Sequence, residues 1–369
     1  MVCSSQLIAE AVSQKSEPFQ LIRNLEIDNF RCFKQVKLHD VRRFTIITGP
    51  NGSGKTALLE ALFVGGGNTA EIYLRTNVWR GKEEFTIPMM PGQMVPLVED
   101  YFFQFDVTQP LRVWFRDNHT GEREVRLVAA RDEVLSLPLD AKASEAVSSQ
   151  PSSIKFFWRT PKGELEAQPE VTAAGLRLAR PEDVYFMVFL NTLTVGSAKE
   201  IAGRYSTLSS KNQEGPIVKA VQSIFDYVQG LTVLSPGGSP AIHAVVRGLD
   251  RKIPLGLLSA GINKFVAILG AICSAPNGAV LIDEVENGWY HKVCPQMWKA
   301  IVDLAEETHT QIFATTHSKE FLESIAPAVT ADQRNYCLLR TERRNGESTV
   351  TAFSGEELAR AIEQGFEVR

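Results

Sequence analysis

"GPNGSGKT", Gly49 to Thr56, governs how the rest of the chain is read. It fits the pattern G-x-x-x-x-G-K-[ST] in full. It also stands where that pattern has a mechanism, after the β-rich run "RFTIITG" and before "KTALLEALFV", whose apolar spacing is helical and which stops at Gly65-Gly66-Gly67. The glycines let the backbone curl so that its N–H groups face one anion, and the helix N-terminus adds a partial positive charge. The cradle comprises Gly49, Pro50, Asn51, Gly52, Ser53, Gly54, Lys55 and Thr56. Lys55 would reach the outer phosphates of a nucleotide, and Thr56 would hold Mg²⁺. The alternative, a chance glycine-rich turn, has no reason to fall between a strand and a helix. The motif by itself leaves kinases, GTPases and many ATPases open.

Upstream, "FQLIRNLEIDNF" alternates apolar and polar residues and reads as a strand. Downstream, "PLRVWFRD", "REVRLVAA" and "IKFFWRT" are short strand-like runs, with "DAKASEAVSSQPSS" as a loop between them. The C-terminal part alternates helix 255–273, strand 279–282, helix 293–307, strand 311–315 and helix 318–325, which argues for a parallel sheet with helical crossovers. Two strands follow, near 334–340 and 348–353. A last helix begins at Ser354 with Glu357 three residues on, a capping box. The expected organisation is a flexible tail over 1–18, the first part of a nucleotide-binding head over 19–81, an inserted, mainly β region over 82–200, and the second part of the head over 201–369. The fold class is α/β, a P-loop NTPase with a mixed sheet and helical crossovers.

The 369 residues are 44% hydrophobic and 22% charged, ordinary for a chain that buries a core. A net charge of −4 argues against coating nucleic acid by charge alone. It leaves room for a local basic patch, for which Arg42, Arg43 and the stretch Arg340–Arg344 are the candidate DNA contacts. Five cysteines without a CxxC pair point to a reducing compartment. The first residues lack the basic region of a signal peptide, and the longest apolar run, Phe265 to Ala275, is too short to span a bilayer. The expectation is a cytoplasmic protein with no membrane partner.

Three further stretches carry chemistry. In "GAVLIDEVENG", Gly278 to Gly288, four apolar residues lead into Asp283 and Glu284 at a strand's C-terminal end, where open α/β sheets bind ligands. Asp283 would bind Mg²⁺, and Glu284 would polarise the attacking water. In "QIFATTHSKEFL" a second strand ends at Thr316 and His317, whose ring can hydrogen-bond a terminal phosphate or its water. In "LSAGINKFVAILG", Ser259 can cap a helix and Gly261 permits close backbone approach. One reading is a plain helix start. A second anion-binding helix start makes sense if it touches the nucleotide of another subunit.

In order, "GPNGSGKT", "LSAGINK", "LIDEVENG" and "ATTHS" resemble the motifs of the ABC-ATPase clade, as in SMC, RecF and OLD proteins. "LEIDNFRCFKQVKL" looks like that group's opening strand pair. "DEVENGWYHKV" and "SGEELARAIEQGFEVR" resemble the OLD-like AAA-family ATPases, many of them tied to bacterial anti-phage defence. The resemblance implies an ABC-ATPase head that dimerises head to tail with two ATP molecules sandwiched between subunits. It implies that Ser259 and Gly261 act in trans, that Glu284 is the general base and His317 the switch histidine, and that Asn287-Gly288 crosses the interface. It also implies that Arg31 lies near the nucleotide. Gln93 and Gln104 are the candidates for the Q-loop. The interval between phosphate loop and signature is longer than in ABC transporters, and the stretch after His317 is too short for a Toprim nuclease domain. The implied function is an ATP-hydrolysing switch or sensor that gates a separately encoded effector such as a nuclease. The alternatives are an SMC- or RecF-like repair ATPase that clamps DNA, and a nucleotide-gated scaffold with little hydrolysis.

Overall fold

A computed structural model describes residues 20–67, 95–130, 153–172, 175–177, 179–192 and 198–364, together with Thr76 and Arg80. The expected tail over 1–18, Gln93 and all of the expected loop "DAKASEAVSSQPSS" but its last residue lie outside the described residues.

Strand β3 (Phe44–Thr48) is buried along its whole length because the sheet it belongs to is covered on both faces. The sheet has the order β10 (Met187–Leu190), β14 (Ala279–Ile282), β15 (Gln311–Thr315), β3, β16 (Tyr336–Arg344) and β17 (Glu347–Ser354). The first five strands run parallel, and β17 returns antiparallel on β16. Side chains alternate between faces as a pleated strand requires. Ile46, Val280, Ile282, Ile312 and Ala314 pack into one core. Ile47, Leu281 and Phe313 pack into the other. The register aligns Leu190 with Ile282, Ile282 with Ala314, and Ala314 with Ile46. The C-terminal ends of these four strands therefore share one edge.

The second sheet has the order β2 (Phe33–Leu38), β1 (Ile22–Phe30), β4 (Leu111–Asp117), β5 (Glu122–Ala130), β6 (Ser153–Thr160) and β7 (Gly163–Ala167), all antiparallel. The described part of 82–200 contributes strands to both large sheets. Its strands β4–β7 continue the sheet that β1 and β2 begin, and β10 belongs to the parallel sheet. The physical reason is that β1 would otherwise present an open edge, and β4 fills it with Leu25 opposite Phe115 and Ile27 opposite Val113. A small sheet, β11 (Val228–Leu234), β12 (Ala241–Val246) and β13 (Ile253–Pro254), and a hairpin, β8 (Glu170–Thr172) and β9 (Gly175–Arg177), complete the strands.

Helix α1 (Lys55–Gly66) lies between the two large sheets, and its leucines Leu58, Leu59 and Leu62 are fully buried. A helix that is apolar all round needs such a sandwiched position, and each buried leucine stabilises the fold by about 1.5–3 kcal/mol. On the other face of the parallel sheet the core takes residues from α2 (Ala198–Ser209), α3 (Gly215–Ile224), α4 (Ala260–Ser274), α5 (Cys294–Glu307), α6 (Lys319–Ala331) and α7 (Gly355–Glu363). The expected helix 255–273 is divided. A single turn at Leu255–Leu258 ends at Ser259, which is extended and caps α4 by accepting from the N–H of Ile262 at 3.3 Å. The capping box at Ser354 and Glu357 forms as expected. Among the described residues no helix is long and apolar enough to cross a membrane.

Candidate nucleotide-binding site

The loop after β3 folds as a cradle because its first glycine has no alternative. Gly49 has φ 140°, and a Cβ there would run into the carbonyl oxygen of Thr341 on β16. Lys55, at the start of α1, turns back so that Nζ donates to the carbonyl oxygens of Gly49 at 2.7 Å and Pro50 at 3.1 Å. Burial pushes this ammonium's pKa down, while Asp283, Glu284 and Glu286 pull it up. A cavity of about 600 Å³ opens over the loop, lined among others by Asn51, Gly54, Lys55, Thr56, Asp283 and Glu284.

The acidic strand end is held by hydroxyls. Asp283 is 5% exposed. Its Oδ2 accepts from Thr56 Oγ1 at 3.0 Å and Thr192 Oγ1 at 2.9 Å, and its Oδ1 accepts from Thr315 Oγ1 at 2.6 Å. Thr315 Oγ1 in turn accepts from the N–H of Glu284 at 2.7 Å. Glu284 has φ 47°, a left-handed conformation that a glutamate adopts only when its surroundings impose it. One carboxylate and one hydroxyl from Thr56, both at the cavity wall, form a donor set of hard oxygens that fits Mg²⁺ beside phosphates.

Behind this turn lies Lys264 of α4, 4% exposed. Its Nζ donates to the carbonyl oxygen of Glu284 and, at 3.4 Å, to that of Asp283. Burial lowers its pKa from the ordinary 10.5 to about 8, against the pull of Glu286, Glu284 and Asp283. A lysine depressed in the fold adds stability that is full above its unfolded value and is lost as pH falls through its folded value. Between about pH 8 and 10.5 the parent chain should therefore gain stability relative to Lys264→Met, and below about pH 8 the two curves should run parallel. Urea unfolding of both proteins across that range checks this.

The remaining expected residues are distributed as follows. Arg31 lines the cavity, with its guanidinium 4.0 Å from the Tyr101 ring centre and Nε 3.3 Å from Glu60. His317 is half exposed, with Nδ1 3.8 Å from Glu286 and 4.0 Å from Glu284. Ser259 and Gly261 start α4. Gly261 packs on Gly288, and a Cβ on Gly261 would run into the Gly288 carbonyl oxygen. Neither Ser259, Gly261 nor His317 lines the cavity among the described residues. Asn287 Nδ2 approaches Glu284 Oε2 at 3.5 Å. Gln104 lines the cavity and Gln93 is outside the described residues. The expected DNA contacts Arg42 and Arg43 differ in exposure. Arg43 is 5% exposed, too buried to meet a phosphate backbone, and Arg42 is paired with Asp40. Sequence reading missed Thr192, Thr315 and Lys264. The signal for the threonines is a hydroxyl at a strand's C-terminal end. For Lys264 it is one cation in an otherwise apolar helix face.

The family model described as "AAA domain, putative AbiEii toxin, Type IV TA system" matches residues 44–323, from β3 through the start of α6. The chain belongs to this AAA family. The AAA domain is a P-loop ATPase. It is 22% identical over 330 residues to a protein of Helicobacter pylori named ATP/GTP phosphatase, covering 82% of this chain and 87% of that one. A 44-residue stretch is 48% identical to the DNA replication and repair protein RecF of Thermomicrobium roseum, covering 12% of this chain and 11% of that one. Among solved structures, the SMC head bound to the C-winged helix domain of ScpA is similar, with a TM-score of 0.48, 15% identity, and coverage of 91% of this chain and 98% of that one.

Proposed function

We propose that this AAA domain hydrolyses ATP as a nucleotide-sandwich dimer and works as a switch. The observation that carries the reading is the division of the expected machinery. The cavity wall holds Lys55, Thr56, Asp283 and Glu284 but neither Ser259 nor Gly261. A helix start tied to Gly288 and lying outside its own cavity suits a role at the nucleotide of a second copy. In this reading Gly49 to Thr56 wrap the phosphates, and Lys55 leaves the carbonyl oxygens of Gly49 and Pro50 to neutralise developing charge. Mg²⁺, held by Thr56 and Asp283, would offset the negative charge of the phosphates. Glu284 accepts a proton from the attacking water, and His317, beside Glu284 but outside the cavity wall, would have to turn toward the terminal phosphate to steady it. Arg31 closes the cavity wall.

The switch would control a separately encoded effector such as a nuclease, in bacterial anti-phage defence. That part rests on the resemblance of "DEVENGWYHKV" and the C-terminal stretch to OLD-like ATPases. The test is light scattering with and without a non-hydrolysable ATP analogue, alongside steady-state phosphate release from ATP. The reading expects the analogue to double the mass and ATP to be turned over. A mass that stays monomeric in saturating analogue contradicts the dimer, and dimerisation without phosphate release favours a nucleotide-gated scaffold.

A further inference from the structure

The cavity wall extends beyond the phosphate loop and the acidic strand end, and whatever the phosphates carry would lie against that remaining wall. It comprises Arg31, Cys32, Arg80, Asp100, the turn Phe102–Phe105, and Arg343 and Gly346 at the β16–β17 turn. The Phe102–Phe105 turn is built rigidly from below. Phe102 is 1% exposed and bridges to Phe30. The N–H of Arg31 donates to the Tyr101 carbonyl oxygen at 2.7 Å, and the N–H of Phe105 donates to that of Phe102 at 3.0 Å. The tip is held in an unusual state. Gln104 and Phe105 are both left-handed, with φ 53° and 61°, although neither is glycine. That conformation keeps Phe105 65% exposed at the cavity wall. It also sets the Gln104 amide across from the opposing turn, with Nε2 4.0 Å from where a Gly346 Cβ would lie. A strained, braced turn that presents an unpacked aromatic ring and a carboxamide to a nucleotide cavity is suited to a flat, hydrogen-bonding ligand group.

We propose that the turn Phe103–Phe105 is the base-binding wall of the site and gives it a preference for adenine. The inference rests on the nucleotide reading of the cavity. Phe105 stacks on the base, as aromatic side chains do on any purine face. Gln104 reads its edge. Its carboxamide oxygen accepts from the adenine amino group while its NH₂ donates to the neighbouring ring nitrogen. Guanine offers two acceptors on the corresponding edge, so the carboxamide oxygen would be left facing an acceptor.

The experiment compares ATP, GTP and inorganic tripolyphosphate by titration calorimetry. Tripolyphosphate has the phosphate chain of the nucleotide and no base, so it separates phosphate binding from base binding. Phe105→Ala should weaken ATP binding on the order of tenfold to a hundredfold and leave tripolyphosphate binding unchanged, with Phe105→Trp restoring ATP. Gln104→Ala should narrow the ratio of ATP to GTP affinity. Because Phe105 is exposed, its truncation does not open a cavity in the core. If Phe105→Ala leaves ATP binding unchanged, or lowers ATP and tripolyphosphate equally, the base wall is overturned. If Lys55→Met weakens neither ligand, the nucleotide reading itself fails, which is a separate result.

Discussion

Glu284→Gln should bind ATP as tightly as the parent chain and turn it over about 10²–10⁴ more slowly. The amide has the same shape as the carboxylate, so the left-handed turn at φ 47°, the N–H bond to Thr315 at 2.7 Å and the Lys264 bond to the carbonyl oxygen all persist. What disappears is the acceptor for the water's proton. Lys55, Thr56 and Asp283 are untouched, so the phosphates remain cradled. A chain that binds ATP and cannot consume it should accumulate as the nucleotide-bound dimer, seen as a shift to higher mass on sizing in ATP. Phosphate release and nucleotide binding measured on the same preparation check both halves. Turnover at the parent rate would take Glu284 out of the reaction.

Lys55→Met should abolish ATP binding while leaving the empty fold intact. The ammonium's partners in the structure are two carbonyl oxygens of its own loop, and burial already disfavours its charge. Methionine fills much the same space without that cost. The melting temperature without nucleotide should therefore match the parent's. The parent in ATP at about 100 times its Kd gains roughly 2.7 kcal/mol, and the variant should gain nothing. Thermal melts with and without Mg·ATP measure both. A variant that melts early when empty would mean that Lys55 holds the loop together, and a retained ATP shift would mean that it does not grip phosphate.

The parts of this protein that sequence alone makes legible are those fixed by local chemistry. Ala279–Ile282 and Gln311–Thr315 are apolar runs bounded by polar turns, and they form strands at the expected residues. Ser354 and Glu357 announce a helix start three residues apart. The phosphate loop is legible because its glycine spacing and its strand–helix setting coincide. Illegible were the features set by residues far apart in the chain. Nothing local tells that β4 pairs with β1 across some ninety residues. Thr192 bonds to Asp283 only because parallel pairing aligns β10 with β14. Lys264 gains its partner only when α4 is packed on β14 and its ammonium meets the carbonyl oxygen of Glu284.

The composite site is most directly tested by mixing two defective chains, Lys55→Met and Ser259→Arg, each inactive alone and each shown to be folded by its melting curve. In a mixed dimer one site joins an intact phosphate loop to an intact Ser259, and the other carries both defects. Equimolar mixing should return ATP hydrolysis to about a quarter of the parent's level, one functional site in four. No recovery from two folded chains that do associate would contradict the shared site.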